Sequence, residues 1–360
     1  MAVRAAVLHE LGKPLEVEEI DLEPTGPGLV RVDIAASGVC HSDLSCVNGK
    51  LPHPTPVVLG HEGAGVVVEV GEGVTKVAPG DHVILDWIPA CGACSFCTRG
   101  ETFLCSNAVG ATFTAPYGSL RGQPLYRGLG TGTFAETTLT LENAMVKIDK
   151  SIPLEVATLV GCAVTTGVGA VVNTAKVPAG ATVAVVGCGG VGLSVIMGAK
   201  HAGAERIIAI DLSAERRQIA GSLGATDLVD GKDDVAAALA ELTGGMGVDY
   251  AFEVVGVPAT LELAFKLTRR GGTAVCVGAG SPMESASFTM FDLFYQSKTL
   301  HGCVYGSADP VEDFPRFLGL WQKGELPIDQ LVTERISLDG INDAFAAMEA
   351  GVGARSVIVN

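Results

Sequence analysis

The sequence predicts an α/β protein with an additional β domain, because three stretches of the chain show different patterns. The first stretch, about 160 residues, holds β-like runs such as VRVDIAAS and GAGVVVEVG, separated by glycine and proline. Short apolar strands then alternate with helical segments, as in TVAVVG, SVIMGAKHAG and RIIAID. Amphipathic helical segments and a last strand, SVIVN, follow. The alternation favours βαβ units and a parallel, doubly wound sheet.

These changes of pattern divide the chain of 360 residues, which is long enough for two domains. We predict a β-rich domain over residues 1–163 with a cysteine-rich lobe at 91–105. The doubly wound, nucleotide-binding domain is predicted over residues 164–304. Residues 305–360 are expected to rejoin the first domain.

Composition and charge argue against two classes of partner. The formal net charge of −16 is opposite to the basic surface that binds nucleic acid or an anionic membrane. Residues 156–175 carry no charge and are long enough to span a bilayer, but they include glycines, threonines and an asparagine. We therefore expect a buried element of a soluble protein, with no nucleic-acid partner and no membrane partner.

Four cysteines have the spacing of a closed metal site. Cys91, Cys94, Cys97 and Cys105 follow one another in CxxCxxC…C order, and four thiolates complete a tetrahedral zinc shell. Disulfides are the alternative, but the opening MAVRAAVLHELGKP lacks the apolar core of a secretion signal. We therefore expect a cytoplasmic protein with reduced thiols and a structural zinc.

Three more candidate ligands are scattered along the first half of the chain: Cys40 in GVCHSD, His61 in LGHEGAG and Cys162 in GCAVTTG. Three ligands leave the fourth zinc position open, as a catalytic zinc requires. Singly, each could be an ordinary buried residue, but polar residues directly follow Cys40 and His61 and favour a metal site. The remaining thiols are expected in the core or near the surface: Cys46, Cys188, Cys276 and Cys303.

A glycine-rich sequence, GCGGVG, follows a predicted strand and opens a predicted helix. The GxGxxG pattern by itself is weak evidence. Between a strand and a helix it predicts dinucleotide binding, since the glycines let the backbone approach a pyrophosphate and the helix N-terminus attracts that group. A βαβ unit without a cofactor is the alternative. The predicted cofactor contacts are Gly187, Gly189, Gly190, Val191 and Gly192.

The end of the next strand bears on the choice of cofactor. Asp211 lies about 20 residues beyond the glycines, where an acid can bond both ribose hydroxyls. Its charge would repel a 2′-phosphate, so NAD is expected rather than NADP. Arg216 and Arg217 argue the other way, because an arginine here can hold a 2′-phosphate; we interpret Arg216 as covering the adenosine region.

Together these motifs resemble those of zinc-dependent medium-chain alcohol dehydrogenases, in particular the long-loop type resembling dimeric animal, plant and bacterial enzymes. The resemblance runs nearly end to end, from GVCHSD through GHEGAG, the four cysteines, GCAVTTG and GCGGVGLSVIMG to GARSVIVN. It implies a GroES-like catalytic domain and a Rossmann domain with the active site between them. It also implies two zinc ions per chain, NAD and hydride transfer.

The resemblance further implies roles for single residues. Ser42 matches the hydroxyl that takes the alcohol proton, Asp43 the acid that orients the ligand histidine, and Glu62 the carboxylate behind the zinc. His41 and Arg355 match positions near the cofactor pyrophosphate. Val277 and Ala279 match the strand end that lies along the nicotinamide.

The chain departs from the family in two places. Ser45 stands where many members have a histidine that ends the proton relay, so proton exit is expected through Ser42 with His41 or water. In the substrate pocket, Trp87 replaces a smaller aromatic residue, Leu51 forms the upper wall, and the region near Gly128 lacks a bulky side chain. We expect a hydrophobic slot that favours benzyl-type, terpenoid or medium-chain primary alcohols.

The expected function is the NAD-dependent, reversible oxidation of primary alcohols to aldehydes. Glutathione-dependent formaldehyde oxidation is an alternative, but its anionic substrate needs a basic anchor and the run CSNAVGA has none. A relative that keeps its nicotinamide permanently bound is a second alternative. A non-catalytic zinc- and nucleotide-binding protein is the third, and the intact ligand set argues against it.

A homodimer is expected for two reasons. The segment between Cys105 and Thr133 is longer than in short tetrameric relatives. The last strand of the nucleotide-binding domain, near residues 297–304, could pair with its copy across a two-fold axis.

Overall fold

The structure is a computed structural model that describes residues 2–108 and 115–360. Residues 109–114 lie outside the described residues. They belong to the segment between Cys105 and Thr133 that is expected to be longer than in tetrameric relatives, and the run CSNAVGA extends into them. Within the described ranges the strands form a closed barrel, a seven-stranded sheet and a six-stranded sheet. The expected fold class, a GroES-like β domain with a Rossmann domain, is confirmed.

The first domain is built from a barrel with strand order β1-β2-β7-β8-β4 and a sheet with strand order β10-β6-β5-β3-β18-β17, in which β9 also pairs with β3. In β3 and β5, Gly38 lies opposite Glu62, so the residues after β3 and before β5 are neighbours. This register brings the Cys40 and His61 loops together. The strands are β1 Ala2–Leu8, β2 Glu16–Leu22, β3 Leu29–Gly38, β4 Val57–Val58, β5 Glu62–Val70, β6 His82–Leu85, β7 Pro116–Leu120, β8 Gln123–Arg127, β9 Thr137–Leu141 and β10 Met145–Ile148.

A long helical run, Leu154–Ala175, follows β10. It alternates α-helical turns, Leu154–Leu159 and Thr165–Gly169, with wider π-helical turns, Val160–Val164 and Ala170–Ala175. In the described part of the chain it alone has the length and hydropathy to cross a membrane, and 89% of its apolar window is buried inside the protein. Helical runs packed in a protein core share these properties.

The second domain is a six-stranded, wholly parallel sheet of order β13-β12-β11-β14-β15-β16. The direction of winding changes between β11 and β14, and in such sheets a ligand crevice opens at that point. The strands are β11 Thr182–Val186, β12 Arg206–Asp211, β13 Asp227–Asp230, β14 Val248–Glu253, β15 Thr268–Cys276 and β16 Thr299–Gly302. The connecting helices are Gly190–His201, Ala214–Leu223, Val235–Leu242, Pro258–Leu267 and Met290–Phe294.

The C-terminal part returns to the first domain. Helices Pro310–Gln322 and Ile341–Glu349 accompany β17 Val332–Ile336 and β18 Arg355–Val359. Strand β18 pairs antiparallel with β3, with Val357 opposite Gly38. Arg355, at the start of β18, therefore enters the same neighbourhood as the Cys40 and His61 loops.

Candidate active site

The four clustered cysteines come together as a closed set. Their Sγ atoms all lie within 4.8 Å of one another. The Sγ atoms of Cys94 and Cys97 are 3.5 Å apart, and those of Cys91 and Cys97 are 4.0 Å apart. A tetrahedral zinc with Zn–S bonds of about 2.3 Å would separate its sulfur ligands by about 3.8 Å. The lobe therefore fits a zinc ion.

Hydrogen-bond donors around the lobe favour thiolates, the form that binds metal. The backbone N–H groups of Cys94 and Cys91 donate to the Sγ atoms of Cys91 and Cys105, both at 3.3 Å. The Nδ2 of Asn107 donates to the Sγ of Cys91 at 3.4 Å. The backbone N–H groups of Cys97 and Ser106 lower the pKa of the Cys94 thiol to about 5.

A second cluster of candidate ligands is buried. The ligand atoms of Cys40, His61, Glu62 and Cys162 all lie within 4.8 Å of one another. Cys40 is the N-cap of the helix His41–Val47, His61 precedes β5, and Cys162 lies in the π-helical turn Val160–Val164. Since π-turns often occur at functional sites, the irregular helix is consistent with a ligand position.

Asp43 fixes the orientation of His61. Its Oδ1 accepts a hydrogen bond from the Gly60 N–H at 3.0 Å and lies 3.1 Å from the Nδ1 of His61. Its Oδ2 accepts from the Cys40 N–H at 3.3 Å. An Nδ1–H that donates to the carboxylate leaves Nε2 as the lone-pair atom, which suits a metal ligand.

Glu62 and Arg355 form a buried pair behind the ligand cluster. The Nη2 of Arg355 lies 2.8 Å from Oε1 of Glu62, and its Nη1 donates to the Val39 carbonyl at 2.7 Å. Burial raises the pKa of Glu62, and the Arg355 guanidinium opposes that rise. The Oε2 of Glu62 is buried with no hydrogen-bond partner among the described residues, and a cation would satisfy it.

The glycine-rich loop has a packed side and an open side. A Cβ on Gly192 would overlap the carbonyl oxygen of Gly187, whereas a Cβ on Gly189 would meet nothing within 4 Å. Gly187 has a φ of +96°, which favours glycine. A Cβ on Gly190 would lie 2.8 Å from the Nε of Arg355, so this arginine sits over the first turn of the helix Gly190–His201. The open side fits a pyrophosphate at a helix N-terminus.

Asp211 lies at the end of β12, beside the loop. Its Oδ2 accepts from the Cys188 N–H at 2.7 Å and its Oδ1 from the Ser213 N–H at 2.8 Å. Arg217 donates to the Asp211 carbonyl at 2.6 Å and to the Oδ2 of Asp230 at 2.8 Å. Asp211 and Arg217, two candidates for setting the choice between NAD and NADP, are thus both hydrogen-bonded to other parts of the protein.

Arg216 reaches the C-terminal part of the chain. Its Nε donates to the Gly353 carbonyl at 3.0 Å and its Nη2 to the Met348 carbonyl at 3.5 Å. It therefore ties the nucleotide-binding domain to the end of the helix Ile341–Glu349. Its expected contact with adenosine stays a prediction.

The other expected site residues lie just after β15 and on the helix His41–Val47. Val277, just after β15, donates its N–H to the Glu253 carbonyl at 2.9 Å, and Ala279 follows two residues later. His41 is exposed and Ser42 half-buried on the first turn of the helix His41–Val47, while the Ser45 carbonyl accepts from the Leu51 N–H at 3.0 Å. Their expected roles remain predictions.

Trp87 lies next to the ligand cluster. Its ring centroid is 6.0 Å from that of His61, in an edge contact, and 5.0 Å from that of Tyr305. Leu51 is half-buried and packs against the barrel core. A Cβ on Gly128 would come within 2.7 Å of the Leu59 Cα and 2.8 Å of the Val58 carbonyl oxygen, and the expected open pocket near Gly128 stays a prediction. This glycine is required by close backbone packing.

Sequence reasoning missed three residues of the site. Asp86 and Tyr305 are buried beside Trp87. Glu253 ends β14 and binds the next loop, since its Oε1 accepts from the N–H groups of Val255 and Gly256. A signal existed for the two carboxylates, because each stands at the end of an apolar strand, in VILDW and YAFEVV.

Comparisons with known proteins agree with this geometry. Residues 26–150 match the family described as alcohol dehydrogenase GroES-like domain, and residues 190–323 match the zinc-binding dehydrogenase family. The NDMA-dependent alcohol dehydrogenase of Amycolatopsis methanolica is 41% identical over 100% of this chain and 99% of its own length. The chain belongs to the zinc-dependent medium-chain alcohol dehydrogenases.

Solved structures support the same family. An alcohol dehydrogenase zinc-binding domain protein from Burkholderia ambifaria has a TM-score of 0.94 and 36% identity, over 100% of this chain and 99% of its own. Benzyl alcohol dehydrogenase from Acinetobacter calcoaceticus has a TM-score of 0.93 and 34% identity over the same shares. As a member of the alcohol dehydrogenases, the chain is an oxidoreductase that acts on small-molecule alcohols and binds zinc.

Proposed function

We propose that this alcohol dehydrogenase oxidises primary, medium-chain aliphatic or aromatic alcohols reversibly to aldehydes, with NAD as the hydride acceptor. The observation that carries the proposal is the buried cluster of Cys40, His61 and Cys162, whose ligand atoms lie within 4.8 Å of one another. Zinc bound there would act as a Lewis acid toward the alcohol oxygen, and NAD⁺ bound at the glycine loop would take the hydride. A second, structural zinc is proposed at Cys91, Cys94, Cys97 and Cys105.

The chain's own residues orient the substrate and move its proton. Asp43 holds His61 in one tautomer through the 3.1 Å contact with Nδ1. The Ser42 hydroxyl, on the helix that begins just after Cys40, is proposed to accept the alcohol proton and pass it outward. Ser45 cannot act as a base near neutral pH, so we propose that His41 or water completes the path. Trp87 and Leu51 are proposed to form apolar walls around the carbon chain.

The relay can be tested with a matched pair of serine variants on the same helix. Ser42→Ala should lower kcat for alcohol oxidation by roughly 10²-fold or more, because general acid–base groups contribute about 10²–10⁴. Ser45→Ala is the control and should leave kcat close to that of the wild type. Equal rates for both variants would show that the proton leaves by another route.

NAD preference is proposed to depend on Asp211. Arg216 and Arg217, the groups that could hold a 2′-phosphate, donate to protein oxygens. The Asp211 carboxylate accepts two backbone N–H groups and keeps further lone pairs for ribose hydroxyls. Asp211→Gly should therefore weaken NAD use and improve NADP use. Loss of charge-assisted bonds worth roughly 1.5–3 kcal/mol predicts a 10- to 150-fold fall in kcat/KM for NAD. A wild type that already prefers NADP would contradict this assignment.

A permanently bound nicotinamide is the second candidate. The Amycolatopsis relative, at 41% identity, is described as NDMA-dependent. Two measurements on the purified protein decide between the candidates: the absorbance of reduced nicotinamide in the protein as isolated, and turnover of an alcohol panel with added NAD. Bound nucleotide without NAD reduction would favour the permanently bound cofactor.

A homodimer formed through β16 is also proposed. All residues of β16 are exposed, and the preceding helix Met290–Phe294 exposes Met290, Phe291 and Phe294 at 79%, 60% and 82%. An unpaired edge strand beside an apolar patch is an effective surface for pairing with a second copy. Light scattering should give the mass of a dimer, and Leu300→Asp on β16 should give a monomer. Leu228→Asp, on the opposite edge strand, is the control and should remain dimeric.

A further inference from the structure

A fully buried glutamate lies at the crevice of the nucleotide-binding domain. Glu253 is the last residue of β14 and has no exposed surface. In the sheet it lies opposite Val186 of β11, which precedes the glycine loop, and opposite Cys276 of β15. Glu253 therefore stands where the direction of winding changes, the position at which such sheets bind their ligands.

The side chain of Glu253 holds the turn that follows β14. Its Oε1 accepts hydrogen bonds from the N–H groups of Val255 at 2.7 Å and Gly256 at 2.8 Å. The Thr260 hydroxyl, in the first turn of the helix Pro258–Leu267, donates to the same oxygen at 2.7 Å. One carboxylate oxygen thus fixes the backbone of the turn and the start of the next helix.

The main chain of Glu253 holds the strand end that is expected along the nicotinamide. Its carbonyl oxygen accepts from the N–H groups of Val277 at 2.9 Å and Gly278 at 3.0 Å. The same residue therefore joins two segments, because its side chain holds residues 254–256 and its carbonyl holds residues 277–279.

These two segments pack backbone against backbone. A Cβ on Gly256 would come within 2.8 Å of the Ala279 carbonyl oxygen, and a Cβ on Gly278 would overlap the Gly256 nitrogen. The contact with the glycine loop is lighter, because a Cβ on Gly187 would first meet a methyl group of the Val255 side chain, at 2.7 Å. A displaced turn would therefore move the strand end more than it moves the glycine loop.

We propose that Glu253 is a positioning residue for hydride transfer: by holding residues 254–256 against residues 277–279, it fixes the place where the nicotinamide ring lies. The inference rests on the proposed function, in which NAD binds at the glycine loop with its nicotinamide along residues 277–279. Because Glu253 is enclosed by protein, it acts through the backbone and touches neither cofactor nor alcohol. The adenosine half of the cofactor, proposed to contact Asp211, does not depend on it.

Two substitutions separate the hydrogen bonds of Glu253 from its volume. In Glu253→Gln, the amide oxygen can accept the same three hydrogen bonds, and the amide nitrogen replaces Oε2, which has no partner among the described residues. Glu253→Met keeps an unbranched side chain of similar length and leaves the three donors without an oxygen acceptor. Thr268→Val is the matched control, because Thr268 is also buried and donates to the Phe265 carbonyl at 2.8 Å, at the opposite end of β15.

The first readout is nucleotide binding, which is independent of activity. Isothermal titration calorimetry compares NADH with ADP-ribose, which lacks the nicotinamide ring, after removal of any nucleotide that copurifies. A segment that must be ordered on binding lowers affinity, so Glu253→Met should weaken NADH binding roughly tenfold and ADP-ribose binding less than about twofold. Glu253→Gln should be affected much less, and Thr268→Val should keep the wild-type ratio of the two affinities. A general loss of stability would weaken both ligands equally.

The second readout is the deuterium isotope effect on alcohol oxidation. A displacement of about 1 Å can lower a rate by roughly 10²-fold, so Glu253→Met should lower kcat by about 10- to 100-fold. With benzyl alcohol deuterated at the carbinol carbon, the isotope effect on kcat should rise in this variant, because hydride transfer rather than product release then limits turnover.

The outcomes separate this inference from the proposed function. Equal losses of NADH and ADP-ribose affinity in Glu253→Met, or Glu253→Gln as impaired as Glu253→Met, would overturn the inference while NAD binding stands. A wild type that binds neither nucleotide would overturn the proposed function itself. If Glu253→Met does not fold, Glu253→Asp, which keeps the charge but is one methylene too short to reach the turn, should show the same change in the ratio of affinities, and a wild-type ratio there would overturn the inference.

Discussion

Arg355 and Glu62 form a buried ion pair between the last strand of the chain and the first residue of β5. Their Nη2 and Oε1 atoms are 2.8 Å apart, and the two side chains are 4% and 0% exposed. Because Glu62 directly follows His61, the pair joins the C-terminal part of the chain to the proposed zinc site. The same arginine lies over Gly190, in the first turn of the helix that the glycine loop opens, so it contacts both functional regions.

Removing this arginine should destabilise the fold strongly. Arg355→Met leaves Glu62 buried without its partner, and breaking a buried pair typically costs about 3–5 kcal/mol. Arg335→Met, on the neighbouring strand β17, breaks an exposed pair with Glu155 and should cost less than about 1 kcal/mol. Urea denaturation measures both variants. Adding Glu62→Gln to Arg355→Met should recover part of the loss, and equal losses in the two single variants would contradict the buried-pair argument.

Two alanine substitutions in the glycine loop should have opposite consequences. Gly189→Ala points a methyl group into open space, so stability should fall by no more than about 1 kcal/mol while the affinity for NADH drops. Gly192→Ala would overlap the Gly187 carbonyl, and overpacking of this kind costs about 1–3 kcal/mol. Thermal unfolding and fluorescence titration with NADH separate the two effects. A Gly189→Ala protein with unchanged NADH affinity would show that the pyrophosphate lies elsewhere.

The cysteine lobe should contribute to folding and not to the chemical step. Cys94→Ser should halve the zinc content and lower the unfolding temperature, because a structural zinc contributes folding free energy directly. Cys46→Ala, a buried thiol of the barrel core, is the control and should keep the full zinc content. Metal analysis by mass spectrometry and calorimetry give the two readouts. A Cys94→Ser protein with the zinc content and stability of the wild type would refute the assignment.

The sequence was sufficient where the chemistry is local along the chain. The four cysteines of the lobe lie within residues 91–105, and a strand, a glycine loop and a helix follow one another directly at 182–201. Their spacing alone therefore predicts a metal lobe and a dinucleotide loop. Spacing alone does not group the scattered set of Cys40, His61 and Cys162, because the pairing of β3 with β5 and the π-helical turn bring it together.

Contacts between distant segments were not predictable from sequence. Tyr305 packs its ring 5.0 Å from that of Trp87 and has a φ of +53°, and no residue pattern indicates such a φ at a tyrosine. The role of Gly128 was also not predictable, because it follows from the close approach of Leu59. The residue type alone does not show which segment packs against it. Arg216 likewise finds its partners in the last residues of the chain.

Stability should depend on pH through Asp86. Burial raises the pKa of this carboxyl to about 7, and the negative charge of Asp309 also raises it. The Ile88 N–H and the Tyr305 hydroxyl act in the opposite direction and lower the pKa. In the unfolded chain an aspartate loses its proton near about pH 4. Between the pKa of the unfolded chain and that of the folded protein, the folded state keeps the proton on Asp86 and the unfolded state does not. The contribution of Asp86 to the free energy of unfolding therefore falls as pH rises through this range, and it levels off above the folded pKa.

Asp86→Asn removes that contribution and tests it. As pH rises from about 4 to about 7, the unfolding free energy of the wild type should fall relative to that of Asp86→Asn. Above about pH 7 the difference between the two proteins should stay constant. Urea denaturation across this range gives the difference, in which protonation of the zinc ligands cancels because both proteins share it. A difference that does not change with pH would mean that Asp86 is already ionised in the folded protein.

The size of the alcohol should determine kcat/KM until the pocket is filled. The Trp87 ring lies 6.0 Å from that of His61, and Leu51 is proposed as a second apolar wall. Each methylene that becomes buried contributes about 0.8 kcal/mol, or roughly fourfold in kcat/KM, so the value should climb from ethanol to hexanol. Trp87 should restrict branched alcohols near the metal, and Trp87→Phe should relieve that restriction while linear alcohols change little. Steady-state kinetics with linear, branched and benzyl alcohols measure both effects. A wild-type kcat/KM for ethanol equal to that for hexanol and benzyl alcohol would refute the apolar slot and leave the zinc and NAD assignments intact.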